Sequence, residues 1–175
     1  MRGSRGTNVI LCGFMATGKS SVGKRLAELL GYRFLDMDAE IEAGAGMPIS
    51  EIFASRGEAA FRRLESDMVQ RLASHSGCVI ATGGGTIADP DNLETLRQCG
   101  ILITLEADPE TILERAGSAG DRPMLSGNDR LGRITDLLAK RADAYARADW
   151  AIDTSGLSID QVARRIAGLL KRHKD

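Results

Sequence analysis

Eight residues, Gly13-Phe14-Met15-Ala16-Thr17-Gly18-Lys19-Ser20, do most to limit what this chain can become. They match G-x-x-x-x-G-K-[ST], a loop whose glycines let successive backbone N–H groups turn inward around phosphate oxygens. The pattern carries weight only between a strand and a helix, and both are readable. Val9 to Cys12 is a short apolar run closed by Gly13, as a buried strand entering a turn would be. From Lys19 onward Val22, Leu26, Leu29 and Leu30 recur at helical spacing until Gly31 ends the pattern. The positive end of that helix adds to the phosphate cradle. Lys19 is placed to neutralise the outer phosphates and Ser20 to ligate Mg²⁺. A nucleoside triphosphate site is the expectation.

The alternation continues. Tyr32 to Leu35 reads as a second strand, Asp38 to Gly46 and Pro48 to Ser55 as short helices, and Glu58 to Ser74 as a longer helix with Phe61, Leu64, Met68 and Leu72 on one face. Val79 to Ala81 is a third buried strand. It is followed by a helix near Asn92 to Gln98, a strand at Ile101 to Leu105 and a helix from Pro109 to Ala116. A helix at Leu131 to Arg147, a strand at Trp150 to Ile152 and a closing helix carrying Ile159, Val162, Ile166, Leu169 and Leu170 complete the chain. Strand and helix in turn predict an α/β fold on a parallel sheet. Gly117 to Asp129, with three glycines and a proline, breaks the alternation and is predicted to be a mobile loop.

At 175 residues the chain suits one domain spanning 1–175, and residues 1–7 read as a frayed tail. A net charge of -1 gives no general attraction for nucleic acid or an anionic membrane, so any basic site must be local. Cys12, Cys78 and Cys99 have neither disulfide nor zinc-ligand spacing. No run is long enough to span a membrane or to serve as a signal sequence, so a cytoplasmic location is expected.

Four further clusters carry chemistry. Asp36-Met37-Asp38 falls where the second strand ends, and in an extended segment residues two apart face the same side. One carboxylate can then hold a metal-bound water and the other accept a hydrogen bond from an acceptor hydroxyl, although Asp also caps helices well. Arg62 stands three residues before Glu65, a helical spacing that can hold its guanidinium fork toward an anion, while Arg63 is assigned to the solvated face. Gly83-Gly84-Gly85 follows a buried strand, one glycine more than a turn requires, which implies a close approach to that backbone. Arg115, Arg122 and Arg141 are anion-binding candidates, with Arg122 in the loose loop where it can swing over a transferred phosphate. Each of these also has a plain structural reading, as a surface charge or a turn.

Together the phosphate loop, Asp36-x-Asp38, Phe61-Arg62-x-x-Glu65, Gly83-Gly84-Gly85, Arg122-Pro123 and Lys140-Arg141 resemble the shikimate kinases, small members of the nucleoside monophosphate kinase-like phosphate-loop fold. The resemblance covers nearly the whole chain. It implies a three-layer αβα architecture on a five-stranded parallel sheet, with a substrate-binding segment at about 36–65 and a lid at about 117–129. It implies transfer of the γ-phosphoryl of ATP, with Mg²⁺, to the 3-hydroxyl of shikimate, a step toward chorismate and the aromatic amino acids. By the same likeness Gly13, Ala16, Thr17, Gly18, Lys19, Ser20, Ser21, Arg115 and Arg122 would hold ATP, with Arg115 against the adenine. Ser20 and Asp36 would serve the metal, and Lys19, Asp38 and Arg122 would act in catalysis. Asp38, Phe53, Phe61, Arg62, Gly83, Gly84, Gly85 and Arg141 would bind shikimate, the two arginines meeting its carboxylate.

Two departures stand out. Met37 replaces a residue often small and polar in that family, and the stretch after Asp153 is not clearly like the family's adenine-contacting segment. The rival readings are a kinase of another hydroxy acid such as gluconate, a nucleoside monophosphate kinase, and a nucleotide-binding regulator without catalysis. Asp-x-Asp with the three glycines argues against the first, and the short segment after Asp36 against the second. The full set of charged residues argues against the third. Shikimate and ATP are the expected partners of a monomer that binds neither nucleic acid nor membrane.

Overall fold

Strand β1 (Asn8–Gly13) is buried at all six positions, which is possible only if neighbouring strands flank it and helices cover both faces. The structure, a computed structural model, describes residues 7–117 and 127–174. Strands β2 (Arg33–Asp36), β3 (Cys78–Ala81), β4 (Gly100–Glu106) and β5 (Trp150–Asp153) join β1 in one parallel sheet of order β2-β3-β1-β4-β5. This is the five-stranded parallel sheet that the alternation and the resemblance predict. Because parallel strands need crossovers, helices return the chain: α1 (Lys19–Leu30), α2 (Met37–Ala45), α3 (Ile49–Leu72), α4 (Pro90–Cys99), α5 (Pro109–Ala116), α6 (Arg130–Tyr145) and α7 (Ile159–Lys174).

The two-residue period of β1 divides the core. Val9 and Leu11 pack with Val22 and Leu26 of α1 and with Val162 and Ile166 of α7 on one face. Ile10 and Cys12 pack with Met68 and Leu72 of α3, Leu96 of α4 and Ile134 of α6 on the other. Burying a side chain such as Leu26 contributes roughly 1.5–3 kcal/mol, so truncating it to Ala would be strongly destabilising.

The expected and observed helix ends differ by a residue or two, with two informative exceptions. Pro48 to Ser55 and Glu58 to Ser74 form one segment, α3, interrupted where Gly57 leaves the helix at φ 82°, a conformation glycine adopts without steric cost. Second, the chain turns into α2 directly after β2 ends at Asp36, and Asp36 caps that helix by accepting a hydrogen bond from Ala39 N–H at 3.2 Å. Asp36 and Asp38 therefore do not share one face of a strand. Asp38 lies in the first turn of a helix, and Met37 between them is fully buried in the core.

Register brings the loops together. Asp36 pairs with Ala81, and Ala81 with Leu11, so the ends of β2, β3 and β1 lie side by side. Thr82 N–H extends this ladder by donating to Leu11 C=O at 3.0 Å. The aspartates, the three glycines and the phosphate-loop residues all emerge at the carboxyl edge of the sheet, where ligands bind in open α/β sheets. Residues 1–6 of the expected tail lie outside the described residues, as does 118–126 of the expected mobile loop with Arg122.

Candidate active site

The loop after β1 can be built only with its own residues. Gly13 has φ +134°, and a Cβ there would lie 2.3 Å from the Leu105 carbonyl oxygen of the neighbouring strand. Ala16 also takes a positive φ, 59°, without glycine's freedom, which costs roughly 1–2 kcal/mol. Thr17 Oγ1 braces the turn by donating to Phe14 C=O at 2.8 Å. Lys19 Nζ lies across the loop and donates to the carbonyls of Gly13 at 2.9 Å and Phe14 at 2.8 Å.

The helix that follows is different from its neighbours. In α2, α4, α5 and α6 a capping carboxylate, Asp36, Asp89, Asp108 or Asp129, accepts from the first-turn N–H groups. Helix α1 has Gly18 at its cap, no side-chain cap and no acidic residue in its first turn. Its positive end is thus open to an anion from outside.

Beside this opening, Ser20 Oγ donates to Asp36 Oδ2 at 2.5 Å. Two hard oxygens next to a phosphate cradle suit Mg²⁺, which takes one or two protein oxygens and fills the remaining positions with phosphate and water. Among the described residues no group of three or more His, Cys, Asp or Glu side chains gathers to enclose a metal, and an ion shared with phosphate needs none. Asp38 lies deeper. Its Oδ1 is shielded from solvent and has no hydrogen-bond partner among the described residues. Burial, reinforced by the charge of Asp36 and opposed by Lys19, pushes its carboxyl up to about 6.

The third wall is the glycine loop with two arginines. Arg62 Nη1 donates to Glu65 Oε1 at 2.6 Å, the helical pairing that the spacing predicts, and Nη2 reaches Glu58 at 3.4 Å. Glu65 is 1% exposed, and its other oxygen accepts from Thr86 Oγ1 at 2.6 Å, so one buried carboxylate ties α3 to the segment after the glycines. The Arg62 guanidinium lies 5.4 Å from the Phe61 ring, and Phe61 and Phe53 stack at 4.8 Å to form an apolar side. Arg141, on α6, is 7% exposed and its guanidinium stands 5.5 Å over the Phe14 ring. Its Nη1 is buried without a partner among the described residues. The glycines leave room for both arginines. A Cβ on Gly85 would come within 3.0 Å of Arg62 Nη1 and 3.2 Å of Arg141 Nη2, and one on Gly84 within 3.3 Å of Arg141 Nη1.

These groups line a single cleft of about 1080 Å³, reaching from Phe53, Phe61 and Arg62 past Asp38 and the glycines to Lys19, Ser20 and Ser21. Its far end holds Arg115, Thr154, Leu157, Ser158 and Ile159. Arg115 donates from Nη1 to Thr154 Oγ1 at 3.0 Å and from Nη2 to Thr154 C=O at 3.1 Å. The edge of its guanidinium is fixed by the turn after β5. Of the expected site residues, only Arg122 lies outside the described residues. Three participants escaped the sequence reading as site residues: Glu65, noticed only as the partner of Arg62; Thr154 and the turn it begins; and Tyr145, whose hydroxyl donates to Gly84 C=O at 2.5 Å. A Tyr four residues after Arg141 shares its helical face, and that spacing was the available signal.

The Shikimate kinase family model matches residues 15–171. A shikimate kinase of Geobacter sulfurreducens is 46% identical over 171 residues, covering 98% of this chain and 94% of its own length. One from Desulforudis audaxviator is 48% identical over 164 residues, 94% of this chain and 86% of its own. Among solved structures, the shikimate kinase of Acinetobacter baumannii in complex with shikimate superposes with a TM-score of 0.93 at 38% identity, over 97% of this chain and 95% of that one.

Proposed function

The chain belongs to the shikimate kinase family and is an ATP-dependent small-molecule kinase, and on that premise we propose how its residues phosphorylate the 3-hydroxyl of shikimate. One observation carries the reading. The cleft that holds the phosphate loop also holds a buried cationic nitrogen, Arg141 Nη1, and a buried carboxylate oxygen, Asp38 Oδ1, neither with a hydrogen-bond partner among the described residues. Buried polar atoms are nearly always paired, so both await a ligand. A hydroxy acid supplies the two missing partners in one molecule, its carboxylate to Arg141 and a hydroxyl hydrogen to Asp38.

In this assignment the N–H groups of Gly13 to Ser21 and the open end of α1 hold the ATP phosphates. Lys19 leaves its carbonyl partners for the β- and γ-phosphates. Ser20 and Asp36 hold Mg²⁺, which neutralises the charge on the phosphates when bound. Arg62, steadied by Glu65, and Arg141 grip the substrate carboxylate; Phe53 and Phe61 wall its ring, and Gly83, Gly84 and Gly85 allow it to lie against backbone. Asp38 accepts a hydrogen bond from the reacting hydroxyl. The hydroxyl oxygen bonds to the γ-phosphorus as the bond to the β–γ bridging oxygen breaks, and the proton passes to Asp38 or to the product phosphate. Such a loose transition state depends on alignment more than on a strong base. Arg115 presents its face to adenine, and Arg122 is assigned to the moving phosphoryl group by family likeness.

We further read the chain as one domain, a monomer acting in the cytoplasm; no helix among the described residues is long and apolar enough to cross a membrane. The test is ADP release measured with shikimate, gluconate and AMP as acceptors. Turnover on shikimate alone is expected, and turnover on gluconate or AMP with none on shikimate would end the reading.

A further inference from the structure

Helix α6 brings two buried side chains to the glycine loop from a single face. Arg141 carries an Nη1 with no hydrogen-bond partner among the described residues, and Tyr145, one turn later, is 8% exposed and donates its hydroxyl hydrogen to Gly84 C=O at 2.5 Å. Tyr145 is itself fixed from behind. Its backbone carbonyl accepts from Thr104 Oγ1 of β4 at 2.9 Å, and Thr104 Oγ1 in turn lies 3.3 Å from Cys12 Sγ, in the strand that enters the phosphate loop. Gly84 lies against both Arg141 and the backbone of Met15: a Cβ there would meet Arg141 Nη1 at 3.3 Å and Met15 N at 3.4 Å.

We propose that Tyr145 is a positioning residue for the acceptor: its bond to Gly84 sets the plane of the peptide beneath the substrate and keeps the glycine loop in register with Arg141. The inference rests on the reading of this cleft as the shikimate site. The loop needs such an anchor. Gly83 to Gly85 have no side chains of their own to pack, and glycine carries the greatest backbone freedom of any residue. Without the Tyr145 bond, the Gly84 carbonyl can turn into the cleft, and the adjoining N–H of Gly85 turns with it, because a peptide unit is planar. Burial pushes the Tyr145 phenol up to about 12, so it remains a donor across the working pH range. The phosphate loop has its own braces, Thr17 and Lys19 on Phe14 and Gly13, so loss of the Tyr145 bond is felt on the acceptor side.

The test is Tyr145→Phe, which keeps the ring and removes the hydroxyl that meets Gly84 C=O and faces Arg141. In an ADP-release assay with each substrate varied separately, KM for shikimate should rise about five- to tenfold, the effect of losing one ordinary hydrogen bond. KM for ATP and kcat should stay within about twofold. Thr104→Val, which frees the Tyr145 carbonyl without touching the cleft, should move KM for shikimate in the same direction by a smaller factor; this arm serves alone if Tyr145→Phe does not fold. A purely structural role would lower the melting temperature and leave the ratio of the two KM values unchanged, and that result overturns the proposal. If the unaltered chain turns over shikimate and Tyr145→Phe retains its KM, only this inference falls. If the unaltered chain does not use shikimate, the functional reading falls with it.

Discussion

Asp38→Asn should make the ligand-free protein more stable while removing most of its turnover. Burial, with the Asp36 charge behind it, raises the Asp38 carboxyl from 3.8 to about 6, and Lys19 opposes the shift without cancelling it. Glu65 and Glu42 face the same carboxyl and add to the repulsion. For an acid raised in this way, the folded state favours the proton. The resulting stability is complete below the unfolded value of 3.8 and is lost as pH rises through about 6. At pH 7.5 the ionised carboxylate costs the fold up to about 3 kcal/mol, two-odd units at 1.36 kcal/mol each. Asparagine keeps the shape and drops the charge. Because the cleft is open to water, roughly half to all of that cost should be regained, or ~3–10 °C in melting temperature for a chain of this size.

The assay is a series of thermal melts of both proteins without ligands from pH 4 to pH 8, beside ADP-coupled turnover. The variant should melt higher at pH 7.5, the gap should close toward pH 4 where Asp38 is neutral, and turnover should fall at least about a hundredfold. Equal melting temperatures at pH 7.5, or a gap that does not vary with pH, would refute the idea that Asp38 is held ionised against its surroundings. The charge that binding and transfer require would then carry no penalty in the empty site.

The same carboxyl should give kcat/KM for shikimate an acid limb near pH 6, activity falling as pH drops and the acceptor for the hydroxyl hydrogen is protonated; a flat profile from pH 5 to pH 8 would contradict it. Glu65→Gln removes the charge that Arg62 meets at 2.6 Å, and should raise KM for shikimate about tenfold and lower stability by roughly 1–3 kcal/mol, read from kinetics and denaturant midpoints. Arg115→Ala should raise KM for ATP about five- to tenfold with KM for shikimate unchanged, since Arg115 and Thr154 stand at the far end of the cleft. Gly13→Ala puts a methyl 2.3 Å from the Leu105 oxygen and should destabilise by more than ~3 kcal/mol, visible as a lost or sharply lowered unfolding midpoint.

The parallel sheet was legible because its signals are local. Val9 to Cys12 is apolar throughout, Gly13 ends it, and the following helical period closes at Gly31. The interruption between Ser55 and Glu58 was legible for the same reason, and it falls at Gly57, although the helix resumes beyond it as a single segment. The geometry of Asp36-Met37-Asp38 was not. An Asp at a strand end serves both readings, as a carboxylate facing the cleft and as a helix cap, and here it does both: one oxygen accepts from Ala39 N–H and the other from Ser20. Strand periodicity carried on to Asp38 therefore ran two residues past the end of β2 at Asp36, and the two carboxylates meet the cleft by a turn into α2.

The three glycines show most clearly where reading in one dimension ends. Their number implies that something approaches the backbone, and a substrate resting on the loop is the natural guess. Much of the approach is made by the protein's own side chains. A Cβ on Gly83 would stand 2.8 Å from Glu65 Oε2 and 3.1 Å from Asp38 Oδ1, while Gly84 and Gly85 make room for Arg141 and Arg62. The glycines therefore accommodate charged groups from three elements between them: Asp38 of α2, Glu65 and Arg62 of α3, and Arg141 of α6. Any side chain on the loop would first displace the groups that recognise the substrate, and only then the substrate. Which residues need that room depends on helices that start at Met37, Ile49 and Arg130, all far from the loop in sequence, so composition can indicate the space but only packing identifies its occupants. Tyr145 escaped for the same reason: its four-residue spacing from Arg141 is legible, but the Gly84 carbonyl it meets is 61 residues away. Recognition in this cleft rests on such distant pairings, which is why Glu65 and Tyr145 should affect KM for shikimate without touching ATP.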